Sequence, residues 1–399
     1  MSATAPTRTV TVVGIRAAIA PVLERLRAEA GRRDAEREHA FAEVRDLAEA
    51  GVLLLRVPVE DGGAGGSVRD LAELVIDIAS ADSNVAQAIR SGFLTVESLV
   101  TGSPRGGDRE RVLARVLARD HFAGTANEVG GKPGDVSTRL HDDGDGLRVT
   151  GSKFYSTGGL HAQWFSGTAL DDEGRIVGFT VPTDREGVTL LDDFDAVGQR
   201  LSASGTTLLD GVRVDRDELG APNAPKHHPH VSLAHLVLAA TLAGIAEAAR
   251  DDAVRVVRDV ARPIKHSSAE RSIDDPYTRL TTGRIATAAF TARAQVVAAA
   301  ELLDAHWGRV ADGAADERGA VDAVVAVASA YVGAGEQALA AAEALFDVGG
   351  GTLVQRQHHL DRHWRNARTV ANHNPRGWKT AAIGGWLLAD EAPPANGLF

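Results

Sequence analysis

Leu147-Arg148-Val149-Thr150-Gly151-Ser152-Lys153-Phe154-Tyr155-Ser156-Thr157 stands in the middle of the chain, and its texture differs from what lies on either side. Leu147 to Thr150 alternates apolar and polar residues directly after the turn Asp143-Gly144-Asp145-Gly146, the pattern of a half-buried strand. Residues 164–170 and 176–181 flank a second turn, Asp171-Asp172-Glu173-Gly174, and read as a hairpin. Two last strands are expected near 206–209 and 212–214, and Gly220-Ala221-Pro222-Asn223 closes the region. The whole block, 121–225, reads as a small β-barrel or sandwich of about 100 residues.

Outward from this block the pattern turns helical in both directions. Ile15, Ile19, Val22, Leu23 and Leu26 recur at helical spacing with arginines on the other face. Glu60-Asp61-Gly62-Gly63-Ala64-Gly65-Gly66 breaks that region into two helical stretches. Beyond the β-block, long alanine-rich segments near 231–260, 277–310, 318–346 and 376–389 suit close helix packing and a bundle with neighbours on several sides, another subunit included. The expected fold class is α+β, mostly α. It comprises an N-terminal helical domain (1–120), the β-domain (121–225) and a C-terminal four-helix bundle (226–399).

Composition narrows the functions available. With 399 residues, 44% hydrophobic and 24% charged, the chain can bury a large core, and a net charge of −11 argues against a nucleic-acid partner. It has no cysteine, which excludes disulfides, thiolate metal sites, iron–sulfur clusters and a cysteine nucleophile. The apolar, uncharged run 323–335 is shorter than the roughly 18–20 residues of a membrane span, and residues 1–11 lack a secretory apolar region. A cytoplasmic protein without a membrane partner is expected. His227-His228-Pro229-His230, and His358, His359 and His363, come without a matching carboxylate set, so no metal is expected. The glycines at 62–66 and 349–351 lack the strand-before, helix-after context of a dinucleotide loop.

Helices, a β-domain and a helical bundle, in that order, resemble the acyl-CoA dehydrogenase superfamily over nearly the whole chain. Val57-Pro58-Val59-Glu60-Asp61-Gly62-Gly63-Ala64-Gly65 is similar to that family's proline, acidic, paired-glycine loop. Gly151 to Thr157 is similar to its glycine–lysine–aromatic–threonine strand, and Val197-Gly198-Gln199-Arg200-Leu201-Ser202-Ala203-Ser204 to the exit of its β-domain. Phe346-Asp347-Val348-Gly349-Gly350, the run Leu360 to Arg368 and His373-Asn374-Pro375 resemble one branch, the flavin monooxygenases of dibenzothiophene desulfurisation and of sulfone or sulfinate oxidation. Asp82-Ser83-Asn84 with Gln87, Arg90 and Glu97 points the same way.

A dehydrogenase of this family takes the substrate's α-proton with a carboxylate, usually a glutamate shortly after the segment matched by Arg365 to Arg368. This chain has no Asp or Glu between Asp361 and Asp390, and Asn372-His373-Asn374-Pro375 stands there instead. The resemblance therefore implies a two-component monooxygenase. Reduced flavin and O₂ would form a C4a-hydroperoxide that oxygenates a small organic sulfur or nitrogen compound. A histidine can donate a hydrogen bond or relay a proton to such a group near neutral pH. The implied flavin is FMN, received as FMNH₂ from a separate NAD(P)H:flavin reductase, with FAD as the other possibility. The alternative is an FAD-dependent acyl-CoA dehydrogenase whose base has moved to another helix, Glu247 being a candidate.

The resemblance also implies residue roles. His373 would be the acid/base or hydroperoxide-stabilising residue; a helix-end histidine bonded to backbone would look the same. Asn372 would contact flavin or substrate, or cap the turn. Thr157 would present its hydroxyl to flavin N5, with Ser156 as the exchange if the register shifts by one. Thr125 and Asn127 would meet the flavin pyrimidine edge and Phe194 would stack near the ring system, unless they are a turn and barrel core. Arg262 would contact the phosphate and Gly349-Gly350 would approach a neighbouring subunit's cofactor, which implies a homotetramer. Gly92, with Phe93, would line the substrate pocket, and glycine in place of the branch's histidine at 92 would enlarge it.

Overall fold

The computed structural model describes residues 10–102, 108–125, 128, 135–220, 229–395 and 399. Six helices come first: α1 (Val12–Glu36), α2 (Phe41–Glu49), α3 (Val68–Ala81), α4 (Ser83–Ala88), α5 (Arg90–Val100) and α6 (Arg109–Leu117). Eight strands follow: β1 (Phe122–Gly124), β2 (Arg139–Asp142), β3 (Leu147–Lys153), β4 (Trp164–Leu170), β5 (Ile176–Pro182), β6 (Val188–Leu190), β7 (Thr207–Val214) and β8 (Leu219–Gly220). The chain ends in α7 (Pro229–Asp259), α8 (Pro276–Ala311), α9 (Glu317–Ala344), α10 (Asp361–Val370) and α11 (Arg376–Ala389).

Helix starts are written in the sequence. Ser67 and Asp70 form a reciprocal capping box on α3. The Asp275 carboxylate accepts from the amides of Tyr277 and Thr278 with Pro276 in the first turn of α8. Ile15, Ile19, Val22 and Leu26 bury one face of α1, while Leu23 is only partly covered. Small residues let α7 and α3 cross closely: a Cβ at Gly244 of α7 would lie 2.5 Å from the Ala79 methyl of α3. Helices α7 and α9 are long and apolar enough to span a bilayer, contrary to the reading of 323–335 alone; the apolar stretch of α7 is 83% buried inside the bundle.

The strands make one sheet in the order β6-β7-β3-β2-β4-β5-β8, with β1 pairing β4. The hairpin β4–β5 forms at the expected residues. The two strands expected at 206–209 and 212–214 are one strand, β7. Its register against β3 slips between Val149 and Gly151, so Asp210 and Gly211 together oppose Thr150. Gly211, at φ +59, takes the bulge and gives its amide to the Thr150 hydroxyl at 3.1 Å. Phe165, Phe179, Val149, Val181 and Val212 fill the inner face of the sheet. Beneath them Lys153 and Glu128 form a buried ion pair.

Candidate active site

The exit of β3 is a strained corner. Tyr155 sits at φ +58, and the Thr157 amide folds back onto the Tyr155 carbonyl at 2.7 Å. Gly158, at φ +81, lets the chain pass under α4, since a Cβ there would lie 2.1 Å from the Ala88 carbonyl oxygen. That contact sets the β-domain against the α4–α5 junction. The segment 198–204 closes the corner from the other side, with Gln199 at φ +55 and Ala203 at φ +50. It is clamped to the helices: the Gln199 amide donates to Asn366 Oδ1 at 2.6 Å, its side-chain Nε2 to Ser83 Oγ at 2.9 Å, and the Leu201 amide to Asn84 Oδ1 at 3.1 Å.

Within the corner a chain of hydroxyls ends on Thr157. Ser202 Oγ donates to the Gln199 carbonyl at 2.7 Å, Ser202 and Ser204 are 2.8 Å apart, and Ser204 and Thr157 3.0 Å apart. Ser156 points into the sheet instead, where its oxygen accepts from Thr207 at 2.7 Å. Of the two adjacent hydroxyls, Thr157 belongs to the corner.

Two residues beyond Ala88, Arg90 reaches the second candidate group. Arg90 Nη2 donates to His373 Nε2 at 3.3 Å, and His373 Nδ1 lies 3.3 Å from Asn374 Oδ1. A guanidinium only donates, so Nε2 accepts and the ring proton sits on Nδ1, facing Asn374. Although part of the residue stays open to solvent, the dense surroundings of the ring, with the charges of Arg90 and Lys379, push His373 down to about 4. Burial lowers Arg90 to about 10 and Lys379 to about 8, and raises Tyr331 to about 12. Tyr331 fixes the turn: its hydroxyl donates to the Val370 carbonyl at 2.8 Å and accepts from the Asn374 amide at 3.2 Å. Asn372 is exposed beside it.

Thr157 adjoins Gly158, which packs on Ala88, and Arg90, two residues beyond Ala88, carries the contact to His373. Tyr155 stacks edge-on with Phe194, ring centroids 6.1 Å apart. Thr125 follows β1, its amide bound to the Ser166 carbonyl at 3.1 Å, while Asn127 lies outside the described residues. Arg262, Gly349 and Gly350 form a separate group at the end of α7, where Ala261 packs on Gly349 and Ile264 on Gly350. At Gly92 a Cβ would lie 2.8 Å from a methyl of Leu53, so the Leu53 side chain lies against the glycine, and Phe93 is buried in the helical core.

Glu247, the relocated base considered above, pairs with Arg293 at 3.1 Å. Among the described residues, no Asp or Glu hydrogen-bonds to Thr157, Arg90 or His373. A cleft of about 730 Å³ does open between α1, α7 and residues 357–362, but it holds none of these residues, and its Arg255 and Arg362 are bound to Asp252.

Buried polar atoms test whether a flavin fits. Gln87 Oε1, Arg90 Nε, Gln199 Oε1 and Asn374 Nδ2 have no hydrogen-bond partner among the described residues. Their residues lie on α4–α5, on the clamped segment and beside His373, the elements that carry the candidate site. A polar ring system with both donors and acceptors would satisfy them. The resemblance marked 197–204 as the β-domain exit without giving Gln199 or Ser204 a role, and nothing in the sequence pointed to Tyr331; their contacts span more than 30 positions.

Comparison with known proteins gives the family. Residues 236–375 match the family described as acyl-CoA dehydrogenase, C-terminal domain. The chain is 30% identical to "Probable FMNH2-dependent monooxygenase SfnC" of Pseudomonas putida, over 87% of this chain and 88% of that protein. It is 31% identical to the dibenzothiophene monooxygenase of Rhodococcus qingshengii, over 93% and 92%. The solved methanesulfinate monooxygenase MsuC of Pseudomonas fluorescens superposes with a TM-score of 0.86 at 26% identity, covering 99% of this chain and 100% of that one. The chain belongs to the acyl-CoA dehydrogenase superfamily, in its branch of FMNH₂-dependent monooxygenases.

Proposed function

We propose that this chain is the oxygenase of a two-component system, receiving FMN already reduced by a separate NAD(P)H:flavin reductase and oxygenating a small organic sulfur compound. Nitrogen compounds are the second class to screen. The observation that carries the reading is the group Arg90–His373–Asn374, to which, among the described residues, no carboxylate is bonded where a dehydrogenase needs its base. The relatives' names, SfnC as FMNH2-dependent and MsuC as a methanesulfinate monooxygenase, favour FMN and sulfur.

When bound, reduced FMN supplies the two electrons with which one atom of O₂ enters the substrate and the other leaves as water. The protein's part is positional. Thr157 and the clamped segment 198–204 hold the edge of the ring system, and Arg90 and Asn374 offer buried donors toward developing negative charge. His373, neutral at pH 7, holds its proton on Nδ1 toward Asn374 while its Nε2 accepts from Arg90, and so orients both of these groups. Arg262 and Gly349–Gly350 stand apart from this group, so in our reading they serve the flavin phosphate of a neighbouring subunit in a homotetramer.

His373→Ala tests the assignment. With FMN, reductase, NADH and a panel of thioethers, sulfones and sulfinates, product yield should fall at least about tenfold while hydrogen peroxide rises. An unchanged yield removes His373 from the mechanism. The dehydrogenase reading, with FAD, would instead require bleaching of bound flavin by an acyl-CoA, and the Glu247–Arg293 pair counts against it.

A further inference from the structure

We infer that the buried serines Ser202 and Ser204 fix the direction of the Thr157 hydroxyl so that it can only accept a hydrogen bond from its ligand, which makes the site selective for reduced over oxidised flavin. The inference rests on the reading above that Thr157 faces flavin N5.

The argument is a count of hydrogens. Each hydroxyl has one hydrogen to give and lone pairs to receive. The chain is anchored at the Gln199 carbonyl, which only accepts, and the Ser202 oxygen stands 2.7 Å from it. Two oxygens at that distance need a hydrogen between them, so Ser202 spends its own there. The 2.8 Å contact between Ser202 and Ser204 then has only the Ser204 hydrogen available. The 3.0 Å contact between Ser204 and Thr157 must in turn use the hydrogen of Thr157. The other acceptor within reach of Thr157, the Tyr155 carbonyl at 3.4 Å, would consume the same hydrogen. Ser202 is 1% exposed, Ser204 4% and Thr157 5%, so water is kept from reversing the order. The anchor does not drift, because the Gln199 backbone is held through its amide by Asn366 and through its side chain by Ser83.

What Thr157 presents outward is therefore a lone pair. Reduced flavin carries a hydrogen on N5 and can donate to it. Oxidised flavin has a lone pair at N5, so two acceptors would face each other, which is unfavourable. An oxygenase that must take up its flavin reduced and release it oxidised is served by that bias.

The test is anaerobic equilibrium binding of FMN and of dithionite-reduced FMN to the wild type, Ser204→Ala, Ser202→Ala and Thr157→Val. The wild type should bind reduced FMN more tightly by about tenfold or more. Ser204→Ala and Ser202→Ala each release the Thr157 hydrogen from the serines, leaving only the long 3.4 Å contact to the Tyr155 carbonyl to compete with N5 for it. They should lower that ratio about tenfold, chiefly by tightening oxidised FMN. A merely loosened loop would weaken both forms together. In the Thr157→Val background the serine substitutions should no longer change the ratio. A wild-type preference that survives in both serine variants, or equal weakening of both forms, overturns the relay and leaves the proposed function standing. A wild type that binds neither form overturns both.

Discussion

At the residue scale the account turns on which atoms hold protons. His373 is held well below an ordinary histidine, at about 4, by its dense surroundings and by Arg90. Its neutral form is therefore the working form across the physiological range, and a depressed pKa means that this form is lost only as pH falls through about 4. We expect the acid limb of the pH–rate profile to lie well below the roughly 6.5 of a free histidine. Arg90→Gln removes the neighbouring charge and should move that limb upward, whereas a limb unmoved by the substitution would separate Arg90 from His373. The resemblance named His373, Thr157 and Phe194 as candidates. It could not show that Ser156 turns to Thr207 while Thr157 turns to Ser204, because adjacent hydroxyls on one strand exit look alike until the backbone direction is known. Nor could it show that the Leu53 side chain lies against Gly92, a contact between residues about 40 apart.

At the scale of elements the site depends on a strand exit forced under a helix. Gly158 and Gly174 both have positive φ, near +80°, but only Gly158 lies against other backbone, where a Cβ would come within 2.1 Å of Ala88. Gly174 has open space around it. Gly174→Ala should cost about 1 kcal/mol of stability from strain alone, and Gly158→Ala roughly 2–4 kcal/mol because overpacking is added. Urea unfolding of the two variants checks this, and equal losses would mean that the corner is not tightly set. The helices and the β4–β5 hairpin were readable because periodicity and turn residues are local signals. Strand β7 was misread as two because Gly211 looks like a turn residue, yet it makes a bulge within one strand. The clamps on 198–204 come from α4 and α10, far apart in sequence, and leave no local pattern to read.

At the scale of the whole molecule, buried neutral histidines tie the fold to pH. Burial lowers His121, His306 and His363, and takes His161 to about 3. The unfolded chain binds these protons near pH 6.5 and the native one does not, so stability should fall as pH drops below about 6.5. Asp82, raised by burial, works in the opposite sense only at lower pH, in the carboxylate range. The melting temperature should therefore be several degrees lower at about pH 5 than at about pH 7.5; a flat profile would contradict the buried neutral state. Assembly belongs to this scale too. Arg262 and Gly349–Gly350 lie apart from Thr157 and His373 within one chain, and sedimentation should show a tetramer, with a monomer counting against a shared flavin site.

The most direct measurement follows oxygen through the protein without needing to know the substrate. Protein loaded anaerobically with reduced FMN is mixed with O₂, and oxygen consumption, hydrogen peroxide release and return of oxidised flavin are timed separately. An oxygenase that guards its flavin should consume O₂ promptly and release peroxide and oxidised flavin only after a marked delay. With the right sulfur compound present, label from ¹⁸O₂ should appear in the product in place of peroxide. Peroxide released in step with oxygen uptake, as fast as from free reduced FMN, would contradict the monooxygenase account.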